Sequence, residues 1–160
     1  KIISAKTASL FAAATKVGSI LSKKENKTKE ALEFYGKNLG LTFQIADDAL
    51  DYNSELKLFG KEIGNDFYES KITLPIILLY QKANQNEKED LKKFFEKKDR
   101  SENEFSQVLI LIKKYNIINE CYRKAEHFIN LASNSLSIFK ESREKEILKN
   151  LTSFSLERSF

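Results

Sequence analysis

Proline and glycine are scarce in this sequence, with one proline and five glycines among 160 residues. A fold of many short strands needs those residues at its turns, so their shortage favours long helices. The single cysteine, Cys121, excludes an internal disulfide, and with His127 as the sole histidine there is no soft-ligand set for zinc. Any metal must be held by oxygen. No apolar run approaches the ~20 residues that span a bilayer, and the N-terminus lacks the basic-then-apolar layout of a signal peptide. The chain is expected to have no transmembrane segment and to be cytoplasmic. Methionine is absent altogether, and Lys1 already lies within a helical pattern. An encoded chain starts with methionine, so a piece of a longer protein is expected.

Arginine is also rare. There are four, and lysines supply the other 23 of the 27 Lys and Arg side chains. A formal charge of +4 and a pI near 9.0 point toward a nucleic-acid partner. The lysines, however, are scattered among glutamates, and arginine is the side chain that contacts bases and phosphates bidentately. These lysines read as solvated helix faces, and no nucleic-acid partner is expected.

Hydrophobic residues at 41% and charged residues at 31% are ordinary for a globular protein. A chain of this size buries roughly 70% of its unfolded surface, enough for one unit with a real core. From residue 2 to 21 small and apolar side chains recur at helical spacing (Ala5, Leu10, Ala13, Val17, Ile20), predicting a packed helix. A polar connection over 22–28 precedes a central helix over 31–52 that is apolar on more than one side. Residues 53–71, with Gly60 and Gly64, predict a loop holding a short turn of helix. Pro75 suits the first turn of a helix that continues to about residue 83. Further helices are predicted over 87–97, 102–115, 117–140 and 143–158. No alternating strand pattern and no repeat occur, so the fold class is all-α.

The central helix carries three carboxylates in an apolar setting. Asp47 and Asp51, four residues apart, stack on one face about 6 Å apart along the axis, and Asp48 flanks them. Like charges at that spacing repel by a few tenths of a kcal/mol per pair, and a divalent cation reverses the sign. Gln44, one turn before Asp47, adds an amide oxygen to the same face. Magnesium suits such a face, because it keeps several waters and bridges one or two carboxylates to phosphate oxygens. Taken alone, the pattern also describes a solvated helix end. Its neighbours in sequence decide between the two.

The run Phe43-Gln44-Ile45-Ala46-Asp47-Asp48-Ala49-Leu50-Asp51-Tyr52 resembles the second aspartate-rich motif of trans-isoprenyl (polyprenyl) diphosphate synthases. Downstream, Gly60-Lys61-Glu62-Ile63-Gly64-Asn65-Asp66 resembles that family's G-K-x-x-G-x-D loop. Glu69-Ser70-Lys71-Ile72-Thr73-Leu74-Pro75 resembles its E-G-K-x-T-L-P helix start, with Ser70 where glycine is usual. Upstream, Lys6-Thr7 resembles its Lys-Thr pair. The match leans toward bacterial octaprenyl-type enzymes.

The resemblance implies an isoprenoid-synthase-type helical bundle of which residues 1–160 are the C-terminal half. It implies a magnesium-dependent prenyltransferase that condenses an allylic diphosphate with isopentenyl diphosphate, homodimeric when full-length. Asp47, Asp48 and Asp51 are then metal ligands, with Lys6, Lys61 and Lys71 on the substrate diphosphate. The oxygens of Thr7 and Gln44 face the developing carbocation. The family's first aspartate-rich motif and its following arginines have no counterpart here, so the chain alone is expected to be inactive. A non-catalytic partner or degenerate helical piece of such a synthase is the alternative. A terpene cyclase is disfavoured, because its second metal motif is an Asn/Asp, Ser/Thr, Glu pattern.

Overall fold

The computed structural model of the chain describes residues 7–53 and 62–157. It is built of helices, and among the described residues there is no strand. The chain divides into two compact units, residues 1–46 with 123–160, and residues 47–122.

In the first unit, helix α1 (Ser9–Leu21) lies against helix α2 (Asn26–Leu50). Two glycines one turn apart on α2 permit the close approach. A Cβ on Gly36 would fall 2.2 Å from Thr15 Oγ1 and 2.4 Å from the Phe11 carbonyl oxygen, and one on Gly40 would fall 2.7 Å from Ala8 Cα. The freed space lets Thr15 Oγ1 donate to the Leu32 carbonyl at 2.6 Å. Leu32, Gly36, Gly40 and Gln44 recur every four residues and so form one stripe of α2.

The remainder of this unit comes from helix α7 (Ile117–Ser135) beyond residue 122, a 3₁₀ turn at Leu136–Ile138, and helix α8 (Arg143–Glu157). Tyr35 and Leu39 of α2 pack with Ala132 and Leu136, backed by Phe11, Leu32, Phe139 and Leu148. The Tyr35 hydroxyl donates to the Leu148 carbonyl at 2.8 Å, and burial pushes its pKa up to about 12.

The second unit takes the last turn of α2, then helices α3 (Asn65–Tyr68), α4 (Leu74–Lys82), α5 (Gln85–Glu96) and α6 (Glu102–Lys114), and the start of α7. Pro75 stands in the first turn of α4, where its missing N–H costs nothing. Asn84 and Ser101 close reciprocal capping boxes with Glu87 and Glu104, which start α5 and α6 sharply. An aromatic cluster forms the core. Phe67 meets Phe105 and Phe95 with ring centres 5.4 Å apart in each case, and Tyr52 lies 6.2 Å from Phe105.

The all-α class and the order of helices agree with the expectation from periodicity. Two boundaries moved. The central helix starts at Asn26 rather than 31, and the helix predicted to reach residue 140 stops at Ser135, where the 3₁₀ turn drives Leu136 into the core.

Candidate functional site

The three aspartates at the end of α2 meet three different environments. Asp47 is exposed, Asp51 is half-buried, and Asp48 is buried at 3% exposure. The Asp51 N–H still donates to the Asp47 carbonyl at 3.3 Å, so helical spacing persists to the end of the motif. Asp47 and Asp51 line an open cleft of about 280 Å³ together with Leu50, Glu62, Ile63, Asn65 and Asp66. Four carboxylates thus border one small volume.

Asp51 also ties the cleft together. Its Oδ1 accepts from the N–H groups of Gly64 (3.1 Å) and Asn65 (3.0 Å), and its Oδ2 from that of Asp66 (2.8 Å). These are the orphan donors at the start of α3, which a carboxylate satisfies well. Gly64 makes the turn possible. Its φ of +92° favours glycine, and a Cβ there would lie 2.6 Å from Phe105 Cζ. Burial raises the Asp51 pKa above its ordinary value, and the neighbouring Asp66 charge adds to this, while the three N–H groups work against it. A cation in the cleft would relieve both of the raising effects.

Asp66 is bound in turn to Lys71. The ammonium lies 3.3 Å from Asp66 Oδ1 and 2.6 Å from Glu69 Oε2, and these two acids, Glu69 first, raise its pKa. Lys71 therefore stands beside the cleft, held by one of its lining carboxylates. In the other unit, Thr7 Oγ1 donates to Gln44 Oε1 at 2.6 Å, so these two predicted site residues are brought together. Lys6 and Lys61 lie outside the described residues.

Among the described residues, no group of three His, Cys, Asp or Glu side chains gathers tightly enough to hold a metal. The donor set instead fits a hard cation that keeps water and draws its remaining ligands from phosphate oxygen, as magnesium does. Asp47 has the accessibility for direct ligation, whereas Asp48 is buried. Asp66 and Glu62 join the cleft without having been singled out from the sequence. The signal for Asp66 was its place as the last residue of the Gly60–Asp66 pattern.

The sequence model described as polyprenyl synthetase matches residues 1–112. The chain belongs to the polyprenyl synthetase family. Members of this family are prenyltransferases. Among curated relatives, the short chain isoprenyl diphosphate synthase of Methanothermobacter thermautotrophicus is 33% identical over 158 residues, 99% of this chain and 48% of the relative. A decaprenyl diphosphate synthase from Rhodobacter capsulatus has the same fold, with a TM-score of 0.92 at 32% identity over 99% of this chain and 49% of that one. A polyprenyl synthase from Caulobacter crescentus, solved with calcium and isoprenyl diphosphate, gives a TM-score of 0.90 at 35% identity over 99% of this chain and 48% of that one. The chain spans about half the length of the relatives it matches. Other relatives bear the names octaprenyl, geranylgeranyl and all-trans-nonaprenyl diphosphate synthase, so membership by itself assigns no product length. No helix among the described residues is long and apolar enough to cross a membrane.

Proposed function

We propose that this chain supplies the half of an all-trans polyprenyl diphosphate synthase that carries the second aspartate-rich motif. In this reading the complete enzyme is homodimeric and condenses an allylic diphosphate with isopentenyl diphosphate. Its product is of the octaprenyl type, used for isoprenoid and quinone side chains. The observation that carries the reading is the cleft itself. An exposed Asp47, a half-buried Asp51 and the Asp66 and Glu62 carboxylates converge on one volume, in a chain whose relatives handle isoprenyl diphosphates.

In the reaction the allylic carbon–oxygen bond breaks and its electron pair leaves on the diphosphate. The double bond of isopentenyl diphosphate attacks the allylic cation, and loss of a proton gives a product longer by one isoprene unit. Bound magnesium would neutralise the charge that grows on diphosphate oxygen. Asp47 is the direct ligand, Asp51 acts directly or through water while fixing the Gly64 turn, and Asp48 supports the motif from its buried position. Lys6 and Lys61 bind the allylic diphosphate, and Lys71 assists from beside the cleft. The oxygens of Thr7 and Gln44, already paired, face the cation and stabilise it as fixed dipoles.

The test joins this chain with a polypeptide bearing the other aspartate-rich half of a relative, adds magnesium, an allylic diphosphate and labelled isopentenyl diphosphate, and follows extractable product. Product should require both chains and magnesium, and Asp47→Ala should lower turnover by orders of magnitude while helix content stays constant. Turnover within a few-fold of the parent would overturn the ligand assignment. No product from any pairing would favour the non-catalytic partner reading instead.

A further inference from the structure

We propose that Arg100 is a positioning residue for the acidic cleft, acting by locking a left-handed turn at Ser70 that sets Asp66 and Lys71. The inference rests on reading the cleft as a metal–diphosphate site. Helix α3 ends in a paired-carbonyl cap: the Lys71 N–H donates to the Asp66 carbonyl at 2.8 Å and the Ser70 N–H to the Phe67 carbonyl at 3.1 Å. That arrangement requires a left-handed residue at the position after the cap, where glycine is usual. Ser70 stands there with φ +62°. A residue with a Cβ is disfavoured in this region by roughly tenfold, so something must hold it.

Arg100 provides the hold. Its Nη1 donates to Ser70 Oγ at 2.5 Å and to the Tyr68 carbonyl at 3.4 Å. Its Nε and Nη2 donate to the Phe94 and Phe95 carbonyls at 2.8 Å each, near the C-terminal end of α5, where carbonyls lack helical partners. The guanidinium lies over the rings of Phe95 and Phe67, 5.2 and 5.6 Å from their centres, which limits its freedom. One planar fork thus joins the ends of α3 and α5. The same short helix is held at its start by Asp51, so Asp66 is fixed from both directions.

Amide exchange of the full 160-residue chain, read by NMR, tests the lock. Ser70→Ala keeps the Cβ but loses the hydroxyl, and should speed exchange at the Lys71 amide about tenfold, in line with a lost bond to a charged donor. Ser70→Gly, which needs no lock, should stay within about twofold of the parent. Arg100→Gln should loosen Lys71 as Ser70→Ala does, and adding Ser70→Gly should restore it. Arg100→Lys should not substitute. The affinity for Mn2+ with inorganic diphosphate should fall and recover in the same order. Unchanged Lys71 exchange in Ser70→Ala, or failure of Ser70→Gly to rescue Arg100→Gln, overturns the lock. If exchange follows the expected order while Mn2+ affinity of a binding parent stays level across the series, the positioning role falls. A parent that takes up no Mn2+ with diphosphate sinks the reading of the cleft, and with it the positioning role, whereas the exchange pattern still decides the Ser70 lock.

Discussion

Thr7 Oγ1 and Gln44 Oε1 lie 2.6 Å apart although 37 positions separate them in sequence. Gln44 continues the stripe of Leu32, Gly36 and Gly40, and the glycines bring α1 close enough for the threonine to reach it. Thr7→Val and Gln44→Leu should therefore be non-additive. A double-mutant cycle by urea unfolding should give a coupling of about 1 kcal/mol. Additive losses would mean that the pair contributes nothing to stability.

Gly36 and Gly18 should respond oppositely to alanine. At Gly36 the added methyl meets the Phe11 backbone, so Gly36→Ala should destabilise by about 1–3 kcal/mol. At Gly18, exposed within α1 and with nothing within 4 Å of a new Cβ, Gly18→Ala should stabilise by about 0.5–1 kcal/mol. Thermal unfolding of both variants checks the contrast, and equal signs would contradict the close approach of α1 and α2.

Asp51 should prove structural as well as ligating. Asp51→Ala leaves the N–H groups of Asn65 and Asp66 without their acceptor, at a cost of about 1–2 kcal/mol, whereas the Gly64 N–H keeps the Asp51 backbone carbonyl at 2.8 Å. Asp51→Asn keeps one oxygen and should lose less. Exchange at the Asp66 amide, which donates to Asp51 Oδ2, measured without metal, separates this effect from ligation. Protection unchanged in Asp51→Ala would refute it.

Acid should weaken the α6 cap. The Lys97 ammonium, then the Ser101 N–H, depress the Glu104 pKa from 4.5 to about 2. A depressed folded-state pKa contributes stability above the unfolded value, and that contribution is lost as pH falls from about 4.5 through about 2. The melting temperature of the parent should fall more steeply across that window than that of Glu104→Gln. Parallel curves would exclude the effect.

Helical periodicity made the all-α class legible, because i, i+3, i+4 spacing is written locally. Pro75 marked the start of α4 for the same local reason. The end of α7 was not legible, since Leu136 leaves the helix to fill a core formed by distant Tyr35 and Leu39. Asp47 and Asp51 could be named as a pair from spacing alone. That Asp48 is buried could not, because its exposure depends on what packs against α2.

The sequence by itself determined the helices, the carboxylate face of α2 and the family, all of which depend on residues close together along the chain or on matched motifs. Only the tertiary structure decided which oxygens meet. Asp51 reaches the Gly64 turn, Thr7 reaches Gln44, and Arg100 reaches Ser70 across gaps that no period encodes. Those pairings follow from close packing at Gly36 and Gly40 and from the aromatic cluster beneath α3, where backbone groups must find partners once water is excluded.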